Sequence, residues 1–350
     1  MNSDAKPGQT RLAVVAMVIP LFFVVGFAAC IIGAYHKPHP NHIKLGVVGP
    51  VAQTAKLQAG IKQAAGSAFE VSGVPTVEQA VHDVRQRDLN AAFVPPTSPA
   101  QPATLIAATA GGRLVAVAAE TLARSVADHE RAQLVVRDVR PLRDGDAIGL
   151  GVFMFMIVCT ICGYFAATLL FTLAPELPPS RRYPILAGVA ILAPVLAYLI
   201  GGLGYGVYRG SFGTIVAFIA VAALYTFVIG LVTRLLQVLI GPPALFVALA
   251  IFVFMNIPSL GATYTSTMLA PFWRFLNHFW LGAETVNAER SILYFGGQGV
   301  GDDLLRLLAW TAVVSLLLVL PISRKLAHRR EQPAVTGAIG SMPTRPAEQA

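Results

Sequence analysis

The chain has 350 residues, of which 55% are hydrophobic and only 13% charged, and it carries a formal net charge of +8. A soluble globular domain has about 25% charged residues, so this composition excludes an ordinary soluble enzyme and a disordered protein. On a chain whose main solvent is lipid, excess positive charge is first a topology signal, and it does not by itself imply nucleic acid.

The first element is an uncharged run from Leu12 to Tyr35. At about 1.5 Å per residue it reaches roughly 36 Å, enough to cross a hydrocarbon core of about 30 Å with some tilt. A cleaved signal peptide is the rival reading, because Phe27-Ala-Ala-Cys30 faintly resembles a lipoprotein cleavage site. The apolar run continues past Cys30, however, and exceeds the about 7–15 residues of a signal-peptide core, which favours an uncleaved anchor. After it come His36, His39 and His42, spaced by Pro38 and Pro40. Imidazoles suit zinc or copper, but the extended chain and the lack of a neighbouring carboxylate favour a solvated stalk, so no metal site is expected.

Residues 36–146 form the polar segment. Ile43–Val48 reads as a strand, Thr54–Ala65 as a helix and Phe69–Val71 as a strand. Thr76-Val-Glu-Gln79 is a capping box that opens a second helix. Ala91–Val94 and Thr104–Ala110 read as strands, Leu114–Gln133 as a long helix and Leu134–Val139 as a last strand. The order βαβαββαβ predicts a small α/β layer.

From Ala147 the chain is again apolar. Uncharged runs at Ala147–Leu173, Ile185–Tyr208, Ser211–Thr233 and Leu235–Ile257 predict four further spans, and Leu307–Ile322 a sixth, with Arg306 snorkelling at its end. Between the last two, residues 258–303 include Phe272, Trp273, Phe275, Phe279 and Trp280. This segment is too short and polar to span, and reads as an outer interfacial or re-entrant segment or as an aromatic belt anchor. The fold class expected is therefore a polytopic α-helical membrane protein of six spans, one plus five, with a small extracytoplasmic α/β domain between spans one and two. In this division 1–11 is a cytoplasmic N-terminus, 12–35 the first span, 147–325 a five-span bundle and 326–350 a disordered cytoplasmic tail.

Orientation follows from Lys and Arg. With the N-terminus inside, the inner segments hold Lys6, Arg11, Arg181, Arg182, Arg234, Arg324, Lys325, Arg329, Arg330 and Arg345. The short outer segments hold Arg209, Arg274 and Arg290 against Glu284, Glu289, Asp302 and Asp303. This bias predicts a multi-pass plasma-membrane protein with both termini cytoplasmic.

Chemistry of its own is not evident. There is no Gly-Lys pair for a phosphate-binding loop, no His-Glu-x-x-His and no Gly-x-Ser-x-Gly. No catalytic residue, cofactor or metal is expected. Cys30, Cys159 and Cys162 all lie in apolar runs and read as packing residues. The apolar runs contain no carboxylate, His or Lys, which weighs against an ion-coupled carrier. Gly202, Gly206 and Gly210 repeat at intervals of four and would lie on one helix face, for packing within a subunit or across a dimer.

The layout resembles the type-2 ABC exporter permeases, and within them the branch of the phage infection protein and its YhgE-like relatives. The residues that carry the resemblance are Ile43-Lys-Leu-Gly-Val-Val48, Thr76-Val-Glu-Gln-Ala80 with Ala91-Ala-Phe-Val-Pro-Pro96, Asn256-Ile-Pro-Ser-Leu-Gly261, Met268-Leu-Ala-Pro-Phe272, Glu289-Arg290 and Tyr294-Phe-Gly-Gly297. It covers about residues 12–325 and is more architectural than motif-sharp. It implies a permease-like subunit that moves amphiphilic or lipid-like cargo outward, as a homodimer, with a separate ATPase subunit and no nucleic acid. Under it, the inner loop with Glu176, Arg181 and Arg182 is the candidate ATPase-docking loop. Asn256, Pro258, Pro271, Phe272 and Arg290 are the candidate outer gate. The alternative is a non-transporting surface receptor or envelope-organising protein whose outer domain binds the ligand.

Overall fold

A computed structural model of the chain describes residues 7–98, 101–261 and 264–320. The residues before Pro7 and the expected tail 326–350 lie outside the described residues.

Helix α1 (Pro7–Tyr35) leads into an α/β lobe. The lobe runs β1 (Ile43–Val48), α2 (Val51–Ala65), β2 (Phe69–Val74), α3 (Val77–Gln86), β3 (Ala91–Val94), β4 (Ala103–Ala107), α4 (Arg113–His129) and β5 (Leu134–Asp138). This is the order expected from sequence. The five strands form one sheet in the order β2-β1-β3-β4-β5. All neighbours are parallel except β3 and β4, where Ala92 faces Ile106 in an antiparallel pair. The central strands are buried on both faces, which is why they read as continuous Val, Ile, Leu and Ala runs. Ile43, Leu45, Phe93 and Leu105 meet Ile61 of α2 and Val115, Ala119 and Ala123 of α4 on one side. Val48, Ala92 and Ile106 meet Ala80 and Val84 of α3 on the other. The capping box forms in part: Thr76 Oγ1 accepts from the Gln79 amide at 3.2 Å.

The remaining helices are α5 (Gly151–Leu173), α6 (Pro179–Tyr198, continued by a π-turn to Gly204), α7 (Phe212–Ile240), α8 (Ala244–Leu249, continued by a π-turn over Ala250–Asn256), α9 (Ile257–Ser259), α10 (Thr265–Met268), α11 (Pro271–Asn277), α12 (Leu281–Tyr294) and α13 (Val300–Val319). Three of these, Gly151–Leu173, Pro179–Gly204 and Phe212–Ile240, are long and apolar enough to cross a membrane. Helix α5 packs along α7 through Phe155, Met156, Cys159, Phe218, Tyr225 and Ile229. Close approach is set by Gly163, where an added Cβ would stand 2.5 Å from the carbonyl oxygen of Thr226. Helix α1 lies against α9 and the preceding π-turn, with the Tyr35 hydroxyl donating to the Pro258 carbonyl at 3.0 Å.

Two sequence-based boundaries change. The fourth apolar run does not stop before Arg234. Helix α7 continues through it to Ile240, because the Arg234 guanidinium lies 4.5 Å over the Phe171 ring. The break comes instead at Gly241, whose φ is 69°, and Pro242-Pro243. The expected glycine face does not form either. The helix ends at Gly204, Gly206 has a φ of 69°, and Gly210 lies in the loop before α7. An added Cβ at Gly202, Gly206 or Gly210 would meet Tyr198, Arg209 or Thr214 respectively, all local in sequence. The periodicity predicted a shared face, but the chain leaves the helix after the first of the three.

Candidate functional site

The site begins where a helix breaks. Pro258 lacks the amide that would bond to the preceding turn, and the helix accommodates it with the π-turn ending at Asn256. Such turns occur often at functional positions. Asn256 is fully buried. Its Nδ2 donates to the Tyr225 hydroxyl at 2.7 Å, and that hydroxyl is 2.6 Å from Thr160 Oγ1. Thr160 in turn donates to the Met156 carbonyl at 2.7 Å. Among the described residues Asn256 Oδ1 has no partner. It faces Gly282, where a Cβ would stand 2.3 Å away, so α12 is drawn tightly against the broken helix.

Helix α12 brings charge into the bundle. Its 14 residues reach only about 21 Å, too short to cross, yet it packs against α5, α7 and α13. Glu284, Glu289, Arg290 and Ser291 are all buried. Glu284 accepts from Arg306 Nη1 of α13 at 2.7 Å. Among the described residues neither oxygen of Glu289 has a hydrogen-bond partner. Nothing offsets the desolvation of its charged form, and burial holds its carboxyl well above the usual carboxylate range. The apolar runs do lack carboxylates, as expected from sequence, but the segment expected at the outer surface supplies them.

The C-terminal end of α12 meets the lobe in a polar seam. Arg87, at the end of α3, donates from Nη1 to Ser291 Oγ, and its guanidinium lies 5.4 Å over the Phe295 ring. Arg143 Nη2 donates to the Leu293 carbonyl at 2.9 Å. Asp146 Oδ1 accepts from the Gly151 amide at 2.8 Å and so caps the first turn of α5. The Tyr294 hydroxyl donates to Asp146 Oδ2 at 3.3 Å. Burial raises the Asp146 carboxyl, against the opposing pull of Gly151 and Tyr294. Asp303, which precedes the apolar run starting at Leu307, is pushed up to about 7 by burial and by Glu284. Burial lowers Arg290 to about 10, with Arg87 adding repulsion.

Two apolar contacts complete the seam. Phe295 inserts into the lobe core on the α3 side, beside Val48, Val84 and Ile106. Met268, from α10, enters the core on the opposite face of the sheet.

The residues singled out from sequence are not one cluster. Asn256 and Pro258 lie buried at the broken helix, Arg290 is buried in α12 near Asp146, and Pro271 and Phe272 are exposed on α11. At the turn between α5 and α6 and the start of α6, Glu176 and Arg181 are exposed, but Arg182 is buried with its guanidinium 5.6 Å over the Phe171 ring. Sequence reasoning passed over Thr160, Tyr225, Asp146, Arg87 and the buried state of Glu284 and Glu289. The available signal was the small residues Gly282, Ala283 and Ala288, which mark α12 as a helix built for close packing. Among the described residues no group of His, Cys, Asp and Glu is placed to hold a metal ion. Comparison with protein-family models, with curated proteins and with solved structures found no match to this chain.

Proposed function

We propose that this chain is the membrane-embedded, permease-like subunit of an exporter that moves amphiphilic cargo outward, with ATP hydrolysed on a separate subunit. On this reading the chain crosses the plasma membrane six times, both termini are cytoplasmic and the lobe lies outside. The observation that carries it is α12, a short helix that holds Glu284, Glu289 and Arg290 buried in the bundle directly beneath the lobe. Ionisable groups are costly in such surroundings, and their usual place is along a substrate or ion pathway. A broken helix beside them, as at Asn256–Pro258, is the kind of backbone that lines transport sites. The resemblance to type-2 exporter permeases supports the same reading.

The experiment is affinity purification of the full chain from its native membranes in mild detergent. The proposal expects a co-purifying ATPase, and ATP-dependent efflux of an amphiphilic dye that falls when the gene is deleted. Purification without an ATPase, together with unchanged efflux, would overturn it. Orientation is tested with a single cysteine at Glu70, exposed on β2. A membrane-impermeant maleimide should label it in intact cells.

A receptor or envelope-organising role is favoured by one observation. The inner turn Ala174–Pro178 is short, and Arg182 is occupied against Phe171, so little of this loop is presented to an ATPase. On that reading, Arg181→Ala leaves function intact, whereas changes on the exposed surface of the lobe abolish it.

A further inference from the structure

Between the lobe on one side and α10, α12 and Phe295 on the other lies a cavity of about 180 Å³. Its polar side chains are Arg87, Asn90, Thr265, Ser266, Thr267 and Asn287. All are hydrogen-bond donors, and none is acidic. Gly111, Gly112 and Val115 also line it, so the first turn of the 17-residue helix α4 opens onto the same space, and no side chain caps that helix. The unsatisfied amides of a helix start favour negative charge. Arg87 is held ready: one nitrogen is tied to Ser291, its face rests on Phe295, and no second hydrogen bond of the guanidinium is formed among the described residues. Arg87 is fixed in place as the left-handed cap of α3, with φ 69°. The acid that acts on Arg87 is Asp303, which does not line the cavity and is itself pushed up to about 7.

We propose that this cavity is an anion-binding site for a phosphate group, held by the Arg87 guanidinium, the hydroxyls of residues 265–267, the amides of Asn90 and Asn287 and the start of α4. It is independent of whether the chain transports anything. The phosphate comes either free from solution or on a phospholipid headgroup.

The test uses the purified full chain in detergent at constant ionic strength, titrated with inorganic phosphate and, separately, with a short-chain phosphatidylglycerol, and read by thermal unfolding and calorimetry. Saturable binding of phosphate is expected for a free anion, and of the lipid alone for a headgroup. In either case Arg87→Gln and Asn287→Asp should each weaken it at least about tenfold. Arg124→Gln, on the exposed face of α4, should not. Asn287→Asp keeps the shape and adds a negative charge, so it remains informative if Arg87→Gln fails to fold. Binding of neither probe by the wild-type chain overturns the proposal. So does binding that both variants retain.

Discussion

Asn256 and Tyr225 are joined by a hydrogen bond of 2.7 Å between two side chains that are both fully buried, one at a helix break and the other near the middle of α7. Removing the hydroxyl takes away the acceptor at 2.7 Å from Asn256 Nδ2. Tyr225→Phe should therefore destabilise the bundle by about 1–3 kcal/mol. The midpoint of thermal unfolding in detergent reads this directly, and an unchanged midpoint would show the pair to be energetically idle.

Phe295, which follows α12, is buried in the lobe core on the α3 side and is 2% exposed. Phe295→Ala should cost about 3–5 kcal/mol, and its effect should reach the lobe. Limited trypsin digestion is expected to cut the lobe arginines of the variant sooner than those of the wild type. Equal digestion rates would contradict the packing.

Asp303 and Asp146 both have carboxyls raised by burial. The folded chain then keeps a proton that the unfolded chain has already released, so stability falls as pH rises. For Asp303 the loss runs from the ordinary value of 3.8 to about 7. Unfolding midpoints measured across this range should decline less steeply in Asp303→Asn than in the wild type. Parallel curves would exclude Asp303 as the source.

Burial raises the Glu289 carboxyl well above the usual carboxylate range, and among the described residues neither oxygen has a donor, so it should keep its proton to higher pH than an exposed carboxylate does. Infrared spectroscopy of the purified chain should show a protonated-carboxyl band that is missing in Glu289→Gln. If the band survives the substitution, it belongs to another group.

Gly163 and Gly188 separate packing from helix propensity. A Cβ at Gly163 meets the Thr226 carbonyl at 2.5 Å, whereas one at Gly188 meets nothing within 4 Å. Gly163→Ala should destabilise by about 1–3 kcal/mol. Gly188→Ala should be neutral or stabilise by up to about 1 kcal/mol. The same unfolding assay compares them, and the reverse order would refute the α5–α7 contact.

The lobe was legible because its strands and helices carry separate periods. The alternation of apolar runs with the capped helix at Thr76 led to the observed order without any tertiary knowledge. The bundle was less so. Arg234 looked like an end of helix because a charge in an apolar run usually is one, and the Phe171 ring against its guanidinium contributes to why it is not. Glu284 and Glu289 looked like surface residues because local sequence cannot tell a polar helix at an interface from one held inside by its neighbours. The Asn256–Tyr225–Thr160 cluster joins three distant stretches of chain, and no spacing rule links them.

Met268 enters the lobe on one face of its sheet and Phe295 on the other. Residues 43–140, cut out as a cassette, would therefore lack a filling on both sides, and moving them between proteins would leave two voids rather than a portable module. Heredity faces the same constraint: a substitution that reshapes either side of the sheet must be answered more than a hundred positions downstream, so the lobe and the stretch from Met268 to Phe295 have to change together.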